Sequence, residues 1–204
     1  MASQLPLGLK LGFTAWVLIW APSYWVLLGP DNFLWLCDLA SLLLWLGLLI
    51  ESRRLVSMQL LAVTLVGALW TLDVAVAALI GMHPIGGTEY MFDSASPALV
   101  RGLSLFHLWL PVVAGYAVWR LGYDHRAIYW QTGLTWLVIP LSYWLTAPEH
   151  NINWVQGPFG QSQTSLEPCW YLVALMLAWP LVLYLPIHLL MLAIMRWRSH
   201  HRGA

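Results

Sequence analysis

The stretch LVSMQLLAVTLVGALWTLDVAVAALI, Leu55 to Ile80, decides the fold class of this 204-residue chain. It is apolar over nearly its whole length and carries one charge, Asp73. A helix crosses the hydrocarbon core of a bilayer with about 20 mostly apolar residues, and this stretch is long enough to do so. Reading outward, five further segments have the same character: about Leu11–Leu28, Asn32–Ile50, Val100–Val118, Ala127–Thr146 and Cys169–Met195. The spacing predicts an all-α polytopic membrane protein, a single domain over residues 1–204 built as a six-transmembrane-helix bundle. Lys10 precedes the first segment as it would a signal peptide. However, Ala21-Pro22-Ser23-Tyr24 leads on into Trp25-Val26-Leu27-Leu28 without a small-residue cleavage site, so a retained helix is expected.

Composition agrees. Apolar types make up 60% of the chain and charged types 9%, against about 25% charged in soluble domains. This excludes a soluble globular enzyme and, by its hydrophobicity, intrinsic disorder. Nine Lys and Arg balance nine Asp and Glu, which leaves no basic surface for nucleic acid. The two cysteines, Cys37 and Cys169, form neither a disulfide framework nor a zinc motif.

Six spans put Lys10, Arg53, Arg54, Arg120, Arg126, Arg196, Arg198 and Arg202 on one side, and Arg101 alone on the other. The positive-inside rule makes both termini cytoplasmic and the location the cell membrane, multi-pass. Two long connections, about Gly81–Ala98 and Ala147–Pro168, then face outward. In the second, Asn151, Asn153 and Gln156 are candidates to line the mouth of a substrate site.

Ionisable residues inside spans are costly and mark candidate sites. Asp38, Asp73 and His107 all fall roughly 9–10 Å below the outer helix ends at 1.5 Å per residue, with Cys37 at nearly the same level. This layer predicts an outward-facing polar pocket. Cys37 with His107 has the residue types of a nucleophile and its base, with a carboxylate to orient the imidazole. A carboxylate next to Cys37 would raise the thiol pKa, so Asp73 is the preferred orienter over Asp38. A carboxylate–imidazole metal site including His83, Glu89 and Asp93 is a poorer fit, because no ligand pair has helical spacing. His188 lies nearer the cytoplasmic end and is expected to bond a neighbouring helix.

Asn32-Phe33-Leu34-Trp35-Leu36-Cys37-Asp38-Leu39-Ala40 resembles the second-helix motif of the YwaF-type integral membrane proteins. Ser104-Leu105-Phe106-His107, Asn151-Ile152-Asn153-Trp154, Pro168-Cys169-Trp170-Tyr171 and Tyr184-Leu185-Pro186 are similar to further motifs of that family, in the same order. Trp35 and Leu108 stand where the family has histidines. The resemblance implies a compact six-helix bundle. It also implies acyl transfer or ester hydrolysis on a lipid, with Cys37 as nucleophile and His107 as base.

The leading expectation is therefore an enzyme of lipid metabolism whose partners are membrane lipids. Two alternatives stand beside it. One is a non-catalytic membrane subunit docking to a membrane protein partner, suggested by the fifteen tryptophans. The other is a small transporter, suggested by intramembrane carboxylates and by prolines within the spans. No cofactor is indicated by any motif.

Overall fold

The structure, a computed structural model, describes residues 4–202. The extreme termini and the Arg202 side chain, which enter the orientation argument, lie outside what is described. Among the described residues the secondary structure is helical, without strands. The helices are α1 (Leu7–Leu28), α2 (Leu36–Leu49), α3 (Arg53–Ile80), α4 (Ala98–Ser104), α5 (Phe106–Leu121), α6 (Ala127–Leu145), α7 (Pro168–Ala178) and α8 (Leu185–Arg202).

Among the described residues, four helical stretches are long and apolar enough to cross a membrane: α1, α3, the α4–α5 pair, and the run from α7 through α8. At 14 residues, α2 is shorter than a span requires. The 19-residue α6 has the length but carries Gln131, Thr132, Thr135 and Ser142.

The 28-residue α3 is the hub, packing on α2, α5 and α6. Its buried Val56, Leu60, Leu61 and Val63 meet Leu44 and Leu48 of α2, Leu110 and Ala114 of α5 and Ile139 of α6 in one core. Small residues let backbones approach. At Gly67 a Cβ would stand 2.6 Å from the His107 carbonyl oxygen and 2.9 Å from Pro111 Cγ, so only glycine lets α3 and α5 close to this distance. One flank is covered by α1 through an aromatic ladder. Trp16 stacks on Trp20 at 4.9 Å and meets Trp109 edge-on at 4.8 Å.

Prolines shape two helices beside the site. Pro111 has no N–H for the His107 carbonyl four residues back, and that carbonyl is the one facing Gly67. The helix is also broken at Leu105, where the Leu108 N–H bonds the Leu105 oxygen at 3.0 Å in a tight turn. Pro180 likewise leaves the Met176 carbonyl without a helical donor, and Trp136 of α6 supplies one through Nε1 at 2.8 Å. From Trp179 to Tyr184 the helix widens to a π turn. Such turns recur at functional sites, and this one borders the cavity described next.

Candidate functional site

A cavity of about 640 Å³ lies between α1, α2, α3, α5 and the π turn, with residues of the two long connections along its border. This is the size of a small-molecule site. Val66, Leu69, Leu175 and Val182 form an apolar wall. Cys37, Asp38, Ser104 and His107 bring polar groups to it.

The start of α2 places Cys37 and Asp38. Gly29, at φ +88°, ends α1, and the turn Pro30–Leu34 reverses the chain. The first N–H groups of a helix have no partner within it. Here the Leu36 N–H donates to Asn153 Oδ1 at 2.9 Å, across 117 residues of chain. The same amide donates through Nδ2 to the Leu34 oxygen at 2.7 Å and to Ser142 Oγ at 2.9 Å. Asn153 sits at φ +54°, a left-handed conformation that asparagine tolerates. It is thus both a cavity-lining residue and the clamp that fixes the start of α2.

The position of His107 follows from the break before it. Because the Leu108 N–H turns to Leu105, the Ser104 carbonyl is free and accepts from His107 Nδ1 at 2.9 Å. A carbonyl only accepts, so Nδ1 carries a proton, and in the neutral imidazole Nε2 would be the acceptor. The ring lies parallel to Trp70, 4.7 Å and 11° apart, and against Phe106 at 4.1 Å. Ser104 Oγ donates to the Val100 oxygen at 2.9 Å and therefore receives the Tyr24 hydroxyl proton at 2.6 Å. Trp70 Nε1 donates to the Tyr90 hydroxyl at 3.3 Å. Burial pushes the Tyr90 phenol up to about 12, so it stays protonated at neutral pH.

Cys37 and His107 also border one small void between α2, α3 and α5. The two side chains are not hydrogen-bonded to each other. The Cys37 thiol lies 4.0 Å from Asp38 Oδ1, and Asp38 Oδ2 accepts from Asn32 Nδ2 at 2.6 Å.

Asp73 is placed apart from this group. It is fully buried, yet it faces the connection above α3 rather than the cavity. Its Oδ1 accepts from the N–H groups of Ile85 at 2.6 Å and Gly86 at 3.1 Å. Its Oδ2 accepts from the Thr88 hydroxyl and from His83 Nδ1 at 3.0 Å. The orienting partner of His107 is the Ser104 carbonyl, not Asp73. Asp73 instead shapes residues 83–88, and Gly86 and Thr88 of that segment form part of the cavity wall.

Asn151 and Gln156 do not reach the cavity. Asn151 Nδ2 donates to the Gly157 oxygen at 2.9 Å, and its Oδ1 accepts from the Gln156 N–H at 2.8 Å. The two long connections meet at Gly86, where a Cβ would stand 2.7 Å from the Phe159 oxygen. Among the described residues no three His, Cys, Asp or Glu side chains gather as metal ligands. His188 bonds the Tyr123 hydroxyl at 2.7 Å, away from the site.

Tyr24, Trp70, Thr88 and Tyr90 line the cavity without having been singled out from sequence. Tyr24 and Trp70 sit within long apolar runs, where aromatic residues are unexceptional. Asn32 belongs to the quoted second-helix motif, yet its link to Asp38 across a turn has no signature in spacing.

Fold and site together define, over the described residues, an all-helical protein with four helices long and apolar enough to cross a membrane and a large, mostly apolar cavity that polar side chains also line. No protein-family model, curated protein or solved structure matches the chain.

Proposed function

We propose that this chain is a multi-pass protein of the cell membrane in which α2 and α6 complete six spans. Both are packed against α3 between the longer helices, and leucines and tryptophans face outward along the bundle. Contacts at one end support the orientation. Lys10 pairs with Glu51 at 2.7 Å, Arg54 with Asp124 at 3.5 Å, Arg53 donates to the Tyr123 oxygen, and Arg198 covers the Trp119 ring at 3.5 Å. Seven described cations, Lys10, Arg53, Arg54, Arg120, Arg126, Arg196 and Arg198, group with this end, and the positive-inside rule makes it the cytoplasmic one. The cavity then faces outward.

In this reading the protein acts on a membrane-dissolved lipid ester by acyl transfer or hydrolysis, as a relative of the YwaF-type proteins. The observation that carries it is that Cys37 and His107 both line a cavity whose surface is mostly apolar. The Cys37 sulfur attacks the ester carbonyl. His107 Nε2 takes the thiol proton and returns it to the departing alcohol. Water, or a second lipid hydroxyl, then releases the acyl group from the thioester with the same base.

The test is turnover of radiolabelled, phosphate-free lipid esters by the purified full chain. Cys37→Ala and His107→Gln should each reduce it by at least about 100-fold, the contribution typical of a general base, with unchanged expression. Retained turnover in both variants would overturn the catalytic reading. Co-purification of a membrane partner with both variants unimpaired would favour the docking subunit.

A further inference from the structure

The protein holds two buried carboxylates near the cavity, and it supplies them with hydrogen-bond donors unequally. Asp73 receives four donors, two from backbone and two from side chains. Asp38, 3% exposed, receives one close donor, Asn32 Nδ2, and a weak contact from the adjacent thiol. An ionised carboxylate has about four acceptor sites. The nearby Tyr24 hydroxyl is directed to Ser104 instead. No lysine or arginine lines the cavity. Burying a carboxylate without a counter-charge is costly, and the dipole at the start of α2 offsets only part of that.

The surroundings suit a cation. Tyr24, Trp35, Trp70 and Tyr90 line the cavity with Asp38, and ring faces attract ammonium groups. The apolar wall runs from Val66 and Leu69 on α3 to Val182 on the π turn, and the last two are exposed on the outer surface of the bundle. A hydrocarbon chain lying on that wall has a side route from the lipid. The lack of Lys and Arg argues against a phosphate in the head.

We propose that the cavity binds a phosphate-free amphiphile with a protonated amine head, held by the Asp38 carboxylate, and its chain along the wall between α3 and the π turn. The proposal rests on reading the cavity as a ligand site and is independent of the acyl chemistry.

Three probes of equal chain length test it: hexadecylamine, hexadecanol and palmitate. Saturable binding of each is measured to the full chain in nanodiscs of neutral lipid, with empty nanodiscs as the partition control. The amine should bind at least about tenfold more tightly than the other two. Asp38→Asn should remove that preference, bringing the amine's affinity to that of hexadecanol. The ranking on the unmodified protein stands alone as a test if the variant fails to fold. Equal binding of amine and alcohol, or tighter binding of palmitate, overturns the amine head and leaves the cavity as a lipid site. Absence of saturable binding for all three overturns both.

Discussion

Gly67 and His107 face each other across the α3–α5 contact, glycine against carbonyl. The proline at 111 deprives the His107 oxygen of its helical donor, and the glycine at 67 leaves room for that oxygen beside α3. The backbone that carries the candidate base is therefore set by two residues with no side-chain chemistry of their own.

Gly67→Ala should lower stability by about 1–3 kcal/mol, the cost of overpacking a tight contact, and should reduce any activity that needs His107. Gly115→Ala on α5 is the control. Its Cβ would meet only Leu60 Cδ1, at 4.0 Å, so it should be neutral or stabilising by up to about 1 kcal/mol. Thermal unfolding in one detergent compares the two. Equal effects would contradict the close approach.

Asp73→Asn keeps the shape but places an amide among donors. It should destabilise by about 1.5–3 kcal/mol, the range for hydrogen bonds to a charged group. It should also open residues 83–97 to protease. A variant as resistant as the parent would contradict the anchoring role.

Asn153 should tolerate neither Ala nor Gly. Each removes the acceptor at Leu36 N–H and the two donor bonds, for about 1–2 kcal/mol from the lost cap alone. Ala should cost about 1 kcal/mol more than Gly, because its Cβ resists φ +54°. Equal stability of the two variants would remove the strain argument.

The loop after α5 predicts a pH dependence. Burial pushes Asp124 up, but the Arg126 N–H and the Arg54 side chain outweigh it and hold the carboxyl below its ordinary value of 3.8. A carboxyl lowered in the folded state adds stability that is fully present above 3.8 and is lost as pH falls through the folded value. Unfolding measured from pH 5 down to pH 2 should show a steeper loss for the parent than for Asp124→Asn. Parallel curves would contradict it.

What could be read from sequence divides along physical lines. The Leu55–Ile80 run shows itself because hydropathy depends on composition, and its helix extends only two residues further at the start. The expected helix from Asn32 begins instead at Leu36, because Pro30 and the following residues form a turn that hydropathy does not register. The expected unbroken helix from Val100 is split at Leu105 by hydrogen-bond geometry, not by a polar residue. The depth arithmetic put Asp38, Asp73 and His107 in one layer, but depth carries no direction. Asp38 and His107 turn to the cavity, while Asp73 turns to backbone N–H groups that no side-chain pattern announces. Asn153 was expected at the mouth of the site. It lines the cavity, but its amide is committed to the start of α2.

The central claim is that Cys37 is acylated within this cavity and that His107 drives the step. Intact-mass and peptide mass spectrometry of the purified chain after brief exposure to a phosphate-free lipid ester tests it most directly. The account predicts one acyl group on the peptide containing Cys37, removable by neutral hydroxylamine, absent in Cys37→Ala and strongly reduced in His107→Gln. An unmodified Cys37 under conditions where the ester is turned over, or an adduct formed equally well without His107, would contradict it.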